Sequence, residues 1–116
     1  MANRKTYTRL TELQVFKRDN ELVDFIKAHR GGESAVTTEL ICTHLAERGY
    51  PTDKRYIGHL INKLMYERNL PLCYINGKGY YWAIRKAEIE NTIIDLRCRI
   101  NAMQEHIDHL NRFIVN

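Results

Sequence analysis

Thr52-Asp53-Lys54-Arg55-Tyr56-Ile57-Gly58-His59-Leu60-Ile61-Asn62-Lys63-Leu64-Met65-Tyr66-Glu67-Arg68 is the stretch on which the reading of this chain turns. On a helical wheel at about 100° per residue, Ile57, Leu60, Ile61, Leu64 and Met65 share an arc of about 140°. Arg55, Tyr56, His59, Asn62, Lys63 and Tyr66 fall opposite them. The first face is what a hydrophobic core requires. The second is basic, aromatic and amide-bearing and carries no acid, whereas a solvated face commonly mixes Glu with Lys. Guanidinium, amide and phenol groups bond base edges and phosphates from a major groove. The stretch therefore predicts a helix with one face buried and the other turned to a polyanion.

Outward from this helix, the preceding residues predict two more. Thr11-Glu12-Leu13-Gln14 has capping-box spacing, so a helix can begin at Glu12. Asp19 or Asn20 offers a second start. Leu22, Val23, Phe25 and Ile26 then form an apolar stripe that ends near Arg30, where Gly31-Gly32 stops it. Ser34 to Thr37 is short enough for one edge strand. Thr37 or Thr38 caps the next helix, with Glu39 in its first turn and Leu40, Ile41 and Leu45 directed inward. Gly49 ends it, Tyr50-Pro51 makes the turn, and Thr52 or Asp53 caps the helix quoted above. Residues 1–19 are read as a basic arm (Arg4, Lys5, Arg9) with a short helix, and residues 20–84 as the folded domain.

Beyond Asn69 the pattern alternates. Leu70 to Ile75 and Lys78 to Ala83 read as two strands around Asn76-Gly77, a pair that supplies the positive φ of a hairpin turn. Alternation buries half of the hairpin aromatics, with Trp82 and one of Tyr80 and Tyr81 as the core members.

The order of elements is helix, short strand, helix, turn, helix and hairpin. Together with Val36-Thr37-Thr38-Glu39-Leu40, the Ile57/Ile61/Leu64 stripe and Gly79-Tyr80-Tyr81-Trp82, it resembles the winged helix-turn-helix DNA-binding domains of bacteria and their phages. The resemblance covers roughly residues 20–83. It implies a mainly α (α+β) fold of three helices plus a β-hairpin wing, in a cytoplasmic protein of a bacterial host cell. It also implies that the third helix enters the major groove and that the wing, short here and with Lys78 as its one basic residue, meets the backbone. Arg55, His59, Asn62 and Tyr66 are then the base-edge residues. Lys54, Lys63 and Lys78 are the phosphate contacts, and Tyr56 completes the DNA-facing set.

Residues 85–116 form a separate element. Ile89, Ile93, Leu96, Ile100, Met103, Ile107, Leu110 and Ile114 are spaced 4, 3, 4, 3, 4, 3, 4, an unbroken heptad seam. At ~1.5 Å per residue the seam is ~38 Å long. So narrow a stripe needs a partner. Ile at every a position from Ile93 onward, with Leu or Met at d, favours two strands. A homodimer through this helix is expected.

Composition narrows the classes. Of 116 residues, 44% are hydrophobic, which is enough for a core and too much for global disorder. No apolar run approaches the ~18 residues of a membrane span, and the first residues lack a signal-peptide core. Residues 84–116 carry five basic and five acidic side chains, so the whole net charge of +4 lies in residues 1–83, as suits a polyanionic partner. Cys42, Cys73 and Cys98 lie far apart with no Cys-x-x-Cys, so reduced thiols are expected. His106 and His109 with Glu105 or Asp108 are better explained as a solvated surface than as a metal site. No phosphate loop, nucleophile elbow or His-Glu-x-x-His occurs. The expectation is a non-enzymatic, sequence-specific, dimeric double-stranded DNA-binding protein without cofactor, metal or small-molecule ligand. Its role would be transcriptional regulation or initiation of phage or plasmid replication. The rival is a winged-helix protein–protein interaction module, an adaptor or inhibitor of a host complex. The acid-free face of the third helix favours DNA, because a protein-binding module has no need of it.

Overall fold

A computed structural model describes residues 9–114. The part of the basic arm that holds Arg4 and Lys5 lies outside the described residues. The protein is mainly helical, with one two-stranded antiparallel sheet: α1 (Glu12–Lys27), a 3-10 turn (Gly32–Ser34), α2 (Thr38–Glu47), α3 (Lys54–Arg68), β1 (Leu72–Ile75), β2 (Gly79–Trp82) and α4 (Lys86–Asn111). No described helix is long and apolar enough to cross a membrane.

The two helix starts expected near Glu12 and Asp19 merge into a single helix. Thr11 and Gln14 form the reciprocal capping box. Asp19 sits in mid-helix, mostly buried, and accepts from its neighbour Arg18 at 3.1 and 3.2 Å. The boundary expected between residues 19 and 20 therefore falls inside α1. Burial of Leu22 and Ile26 continues the same helical face, so nothing interrupts it.

One core joins α1, α2 and α3: Leu22, Ile26, Val36, Ile41, Leu45, Ile57, Leu60, Ile61 and Leu64. Leu40, expected to face inward, is 55% exposed. It precedes Ile41 by one residue, about 100° round the helix, and the residues of α2 that are buried are Ile41 and Leu45. Thr37 caps α2 by accepting from the Leu40 N–H at 3.2 Å.

The expected edge strand at 34–37 is reduced to a single bridge. The 3-10 turn occupies its first residue, and only Val36 pairs with β2, exchanging N–H···O bonds of 2.8 Å each way with Tyr80. His29 and Gly31 satisfy Trp82 in the same manner, at 2.8 and 2.9 Å. The outer edge of β2 is thus covered by the α1–α2 connection, and no bare sheet edge is left there. Gly79 makes this possible. Its φ is +110°, and a Cβ at that position would overlap the Val36 carbonyl.

β1 and β2 pair with Ile75 opposite Gly79, which leaves Asn76, Gly77 and Lys78 as the connection. Only Gly77 in that turn takes positive φ, so Asn76 plays no left-handed part. Tyr81, Cys73 and Ala83 form a second small cluster. Trp82 is not a core residue. It is half-buried, with the Lys27 ammonium 5.5 Å from its ring, because the β2 alternation turns Tyr81 inward and Trp82 toward α1.

α4 is fastened to this body at its start. The Glu88 carboxylate accepts from the N–H groups of Ile84 (2.9 Å), Arg85 (3.1 Å) and Gly32 (2.8 Å). Arg85 adds an ion pair at 3.1 Å. None of α4's residues is buried. The radius of gyration, 17.8 Å, exceeds the roughly 13 Å of a compact chain this long, because α4 projects from the head. α4 ends at Asn111, so Ile114 lies beyond the helix and does not extend the seam as a helical position.

Hydrogen bonds from Ile84 and Gly32 hold the Glu88 carboxyl below the usual carboxylate range. A depressed carboxyl stabilises the fold fully above its unfolded pKa of about 4.3, and loses that contribution as pH falls through the lower folded value. Glu88→Gln should therefore melt at lower temperature than the unaltered chain at neutral pH. The gap, followed by circular dichroism, should hold down to about pH 5 and then narrow, closing only once pH has fallen through the lower folded value.

Candidate nucleic-acid interface

α3 owes its position to its two ends and its stripe. Asp53 accepts from the Tyr56 N–H at 2.8 Å and so caps the start. Asn69 takes the left-handed conformation, φ 60°, and closes the end. Ile57, Leu60, Ile61 and Leu64 are each at most 3% exposed. Met65 lies at the edge of this stripe and is half-buried. Arg68 donates to Asn20 of α1 at 2.8 Å, which ties the C-terminal end of α3 to α1.

With that face buried, the opposite one is open. Arg55, Tyr56, His59, Asn62, Lys63 and Tyr66 are all exposed, Tyr66 by 79%. Arg55, His59, Asn62 and Tyr66 lie at i, i+4, i+7 and i+11 and make one straight stripe within an arc of about 60°. Tyr56 and Lys63 flank that stripe on the side nearer the start of α1. Tyr56 is not free-standing, since the Arg18 guanidinium lies 5.5 Å from its ring centre.

Lys54 sits apart from the stripe. Its ammonium pairs with Glu39 of α2 at 2.9 Å, both groups being well exposed. Their hydrogen bond holds the Glu39 carboxyl below, and the Lys54 ammonium above, its ordinary value. An exposed pair of this kind is weak and salt-screened, so Glu39 holds Lys54 only loosely. The spacing along α3 gave no sign of this partner, which is 15 residues away in the chain. Lys78 is exposed in the hairpin turn, on a different element from the α3 residues.

On α4, Ile89, Ile93, Leu96, Ile100, Met103, Ile107 and Leu110 are between 41 and 60% exposed. Together they form an apolar stripe along 26 helical residues, and among the described residues nothing lies upon it beyond the first turns. Thr92, half-buried, is where α4 meets the Tyr81 side of the hairpin.

Cys42, Cys73 and Cys98 are free thiols, and Cys73 is buried. Among the described residues, no group of three or more His, Cys, Asp or Glu is placed to hold a metal ion. The outer surface of α3 can therefore offer hydrogen bonds, positive charge and aromatic faces.

Gly58 stands in the middle of α3, and a Cβ there would meet nothing within 4 Å. Packing gives no reason for a glycine. Gly58→Ala should raise stability by ~0.5–1 kcal/mol through helix propensity, read as a higher denaturation midpoint. No protein-family model, curated protein or solved structure matches the chain.

Proposed function

We propose that this chain is a winged helix-turn-helix protein that binds double-stranded DNA sequence-specifically as a homodimer. The observation that carries the reading is the outer stripe of α3: Arg55, His59, Asn62 and Tyr66, exposed and in line, opposite a face that is almost wholly buried. α3 would lie in the major groove. There Arg55 suits guanine and Asn62 suits adenine, with His59 and Tyr66 on neighbouring edges. Lys54, Lys63 and Lys78 would meet phosphates and set affinity more than sequence. The β1–β2 hairpin would be the wing.

The exposed seam of α4 supports the dimer. Its occupant is a second copy of the same helix, because the 4–3 spacing that leaves the stripe open is the one two such helices interlock through. Two heads on one coiled coil would bind paired half-sites about one or two helical turns apart, with avidity raised by effective concentration. The biological role that fits is transcriptional regulation, or initiation of replication at a phage or plasmid origin. The second reading is an adaptor or inhibitor of a host protein complex. The exposure of Leu13, Phe16 and Leu40 on α1 and α2 favours it.

A salt titration separates the two. Binding through several Lys and Arg contacts weakens steeply as salt rises. Failure to bind any duplex at low salt would falsify the DNA reading. Selection from a random duplex pool would then define the site. Asn62→Ala should cost on the order of 1–3 kcal/mol on the selected site and relax its specificity, while an equal loss on random DNA would contradict direct readout. Ile100 is 59% exposed in the single chain, so Ile100→Asp should leave the head folded. Light scattering should then report half the mass of the unaltered protein. An unchanged mass would remove the coiled-coil assignment.

A further inference from the structure

Beside α3 lies a feature that the reading above leaves unused. The N-terminal end of α1, the α2–α3 turn and the flank of α3 enclose an open cleft of about 800 Å3. Leu10, Val15, Tyr50 and Pro51 supply apolar and aromatic wall, while Arg9, Arg18 and Lys63 bring three cations to it. The acid in the lining, Asp53, has a carboxylate oxygen bound to the Tyr56 N–H at 2.8 Å as the helix cap.

The cations differ in what holds them. Arg18 is committed: its Nε and Nη2 both donate to Asp19, and its guanidinium lies over the Tyr56 ring. It therefore fixes Tyr56 as a wall more than it offers charge. Arg9 and Lys63 are exposed and have no ion-pair partner among the described residues. Two uncommitted cations thus share the cleft with an aromatic wall held by Arg18, and the remaining acid is turned to the helix end.

The geometry points to a phosphodiester strand as the occupant: the cleft grips one strand's backbone through Arg9 and Lys63, against Tyr56, beside the groove that α3 enters. This rests on the duplex reading of α3. Two observations favour a strand over a free anion. Tyr56 and Lys63 belong both to the cleft and to the outward side of α3, so whatever lies along α3 continues into it. Moreover, Arg9, Asp53, Tyr56 and Lys63 are all exposed, so the cleft is a trough and lacks the enclosure that buries most of a small ligand. A backbone contact from a second element also does what α3 alone cannot. It sets the angle at which the recognition stripe meets the bases, since phosphate contacts fix register and orientation.

The test is the full chain with Arg9→Ala and Arg9→Glu, titrated onto the selected duplex and onto a random duplex of equal length. Arg9 lies outside every helix and strand and is exposed. Arg9→Ala should weaken both duplexes by the same factor, and Arg9→Glu by a larger one. Between about 50 and about 200 mM salt, Arg9→Ala should lose about threefold less affinity than the unaltered chain, as expected for one phosphate contact removed. Ethylation of phosphates should show one position whose interference disappears in Arg9→Ala while the rest of the pattern remains. If Arg9→Ala binds both duplexes as the unaltered chain does, with the same salt slope, the cleft assignment falls and the α3 reading stands. Loss confined to the selected duplex would make Arg9 a base reader and also overturn it. If the unaltered chain binds no duplex at low salt, both readings fall together.

Discussion

Burial of Ile57, Leu60, Ile61 and Leu64 sets the rotation of α3, and with it everything that the helix shows to the outside. Each such side chain gains ~1.5–3 kcal/mol from leaving water. A turn of the helix by one residue, about 100°, would expose part of the stripe and bury polar groups in its place, at a cost comparable with the whole stability of a small domain. The outer stripe of Arg55, His59, Asn62 and Tyr66 is therefore a consequence of the core. The caps narrow it further. Asp53 and Asn69 fix where the helix starts and stops, and Arg68 bonded to Asn20 holds its far end against α1.

The second constraint is the backbone accounting around β2. A two-stranded hairpin alone is marginal in water. Here the α1–α2 connection supplies a partial third edge through His29, Gly31 and Val36, and the close approach at Gly79 is what allows it. The same connection reaches α4, since the Gly32 N–H is held by Glu88. One loop thus ties the helical core, the hairpin and the projecting helix together. α4 is held by its first turns while its apolar stripe stays open to solvent. Beyond its first turns α4 has no buried residue among the described ones and gains little tertiary stabilisation, which is the physical case for a partner on that stripe.

Much of this was legible in the residues because it is periodic and local. The buried and open faces of α3, the cap at Thr11, the positive φ at Gly77 and the heptad stripe of α4 each follow from spacing or from residue chemistry within a few positions, while Thr37 over Thr38 and Asp53 over Thr52 are choices the folded helices make. The readings that changed are those that depend on neighbours. The starts at Glu12 and Asp19 are alternatives in the sequence, yet one helix runs through both, with its buried face beginning at Asp19. Leu40 and Trp82 are apolar enough for a core, but the packing has room for Ile41 and Tyr81 in their places. Ile114 keeps the heptad spacing but falls past the end of the helix.

What the sequence determined by itself is which face of each helix is apolar, because a period of 3.6 or 3.5 residues is written into the order of side chains. What only the tertiary structure decided is which distant residues share a surface. Glu39 reaches Lys54, Arg18 backs Tyr56, Glu88 holds Gly32, and Arg9 shares a cleft with Lys63. These pairs are set by how the helices cross and where the loops return, and no local pattern carries that information, since contact between residues far apart in the chain exists only after the core has closed.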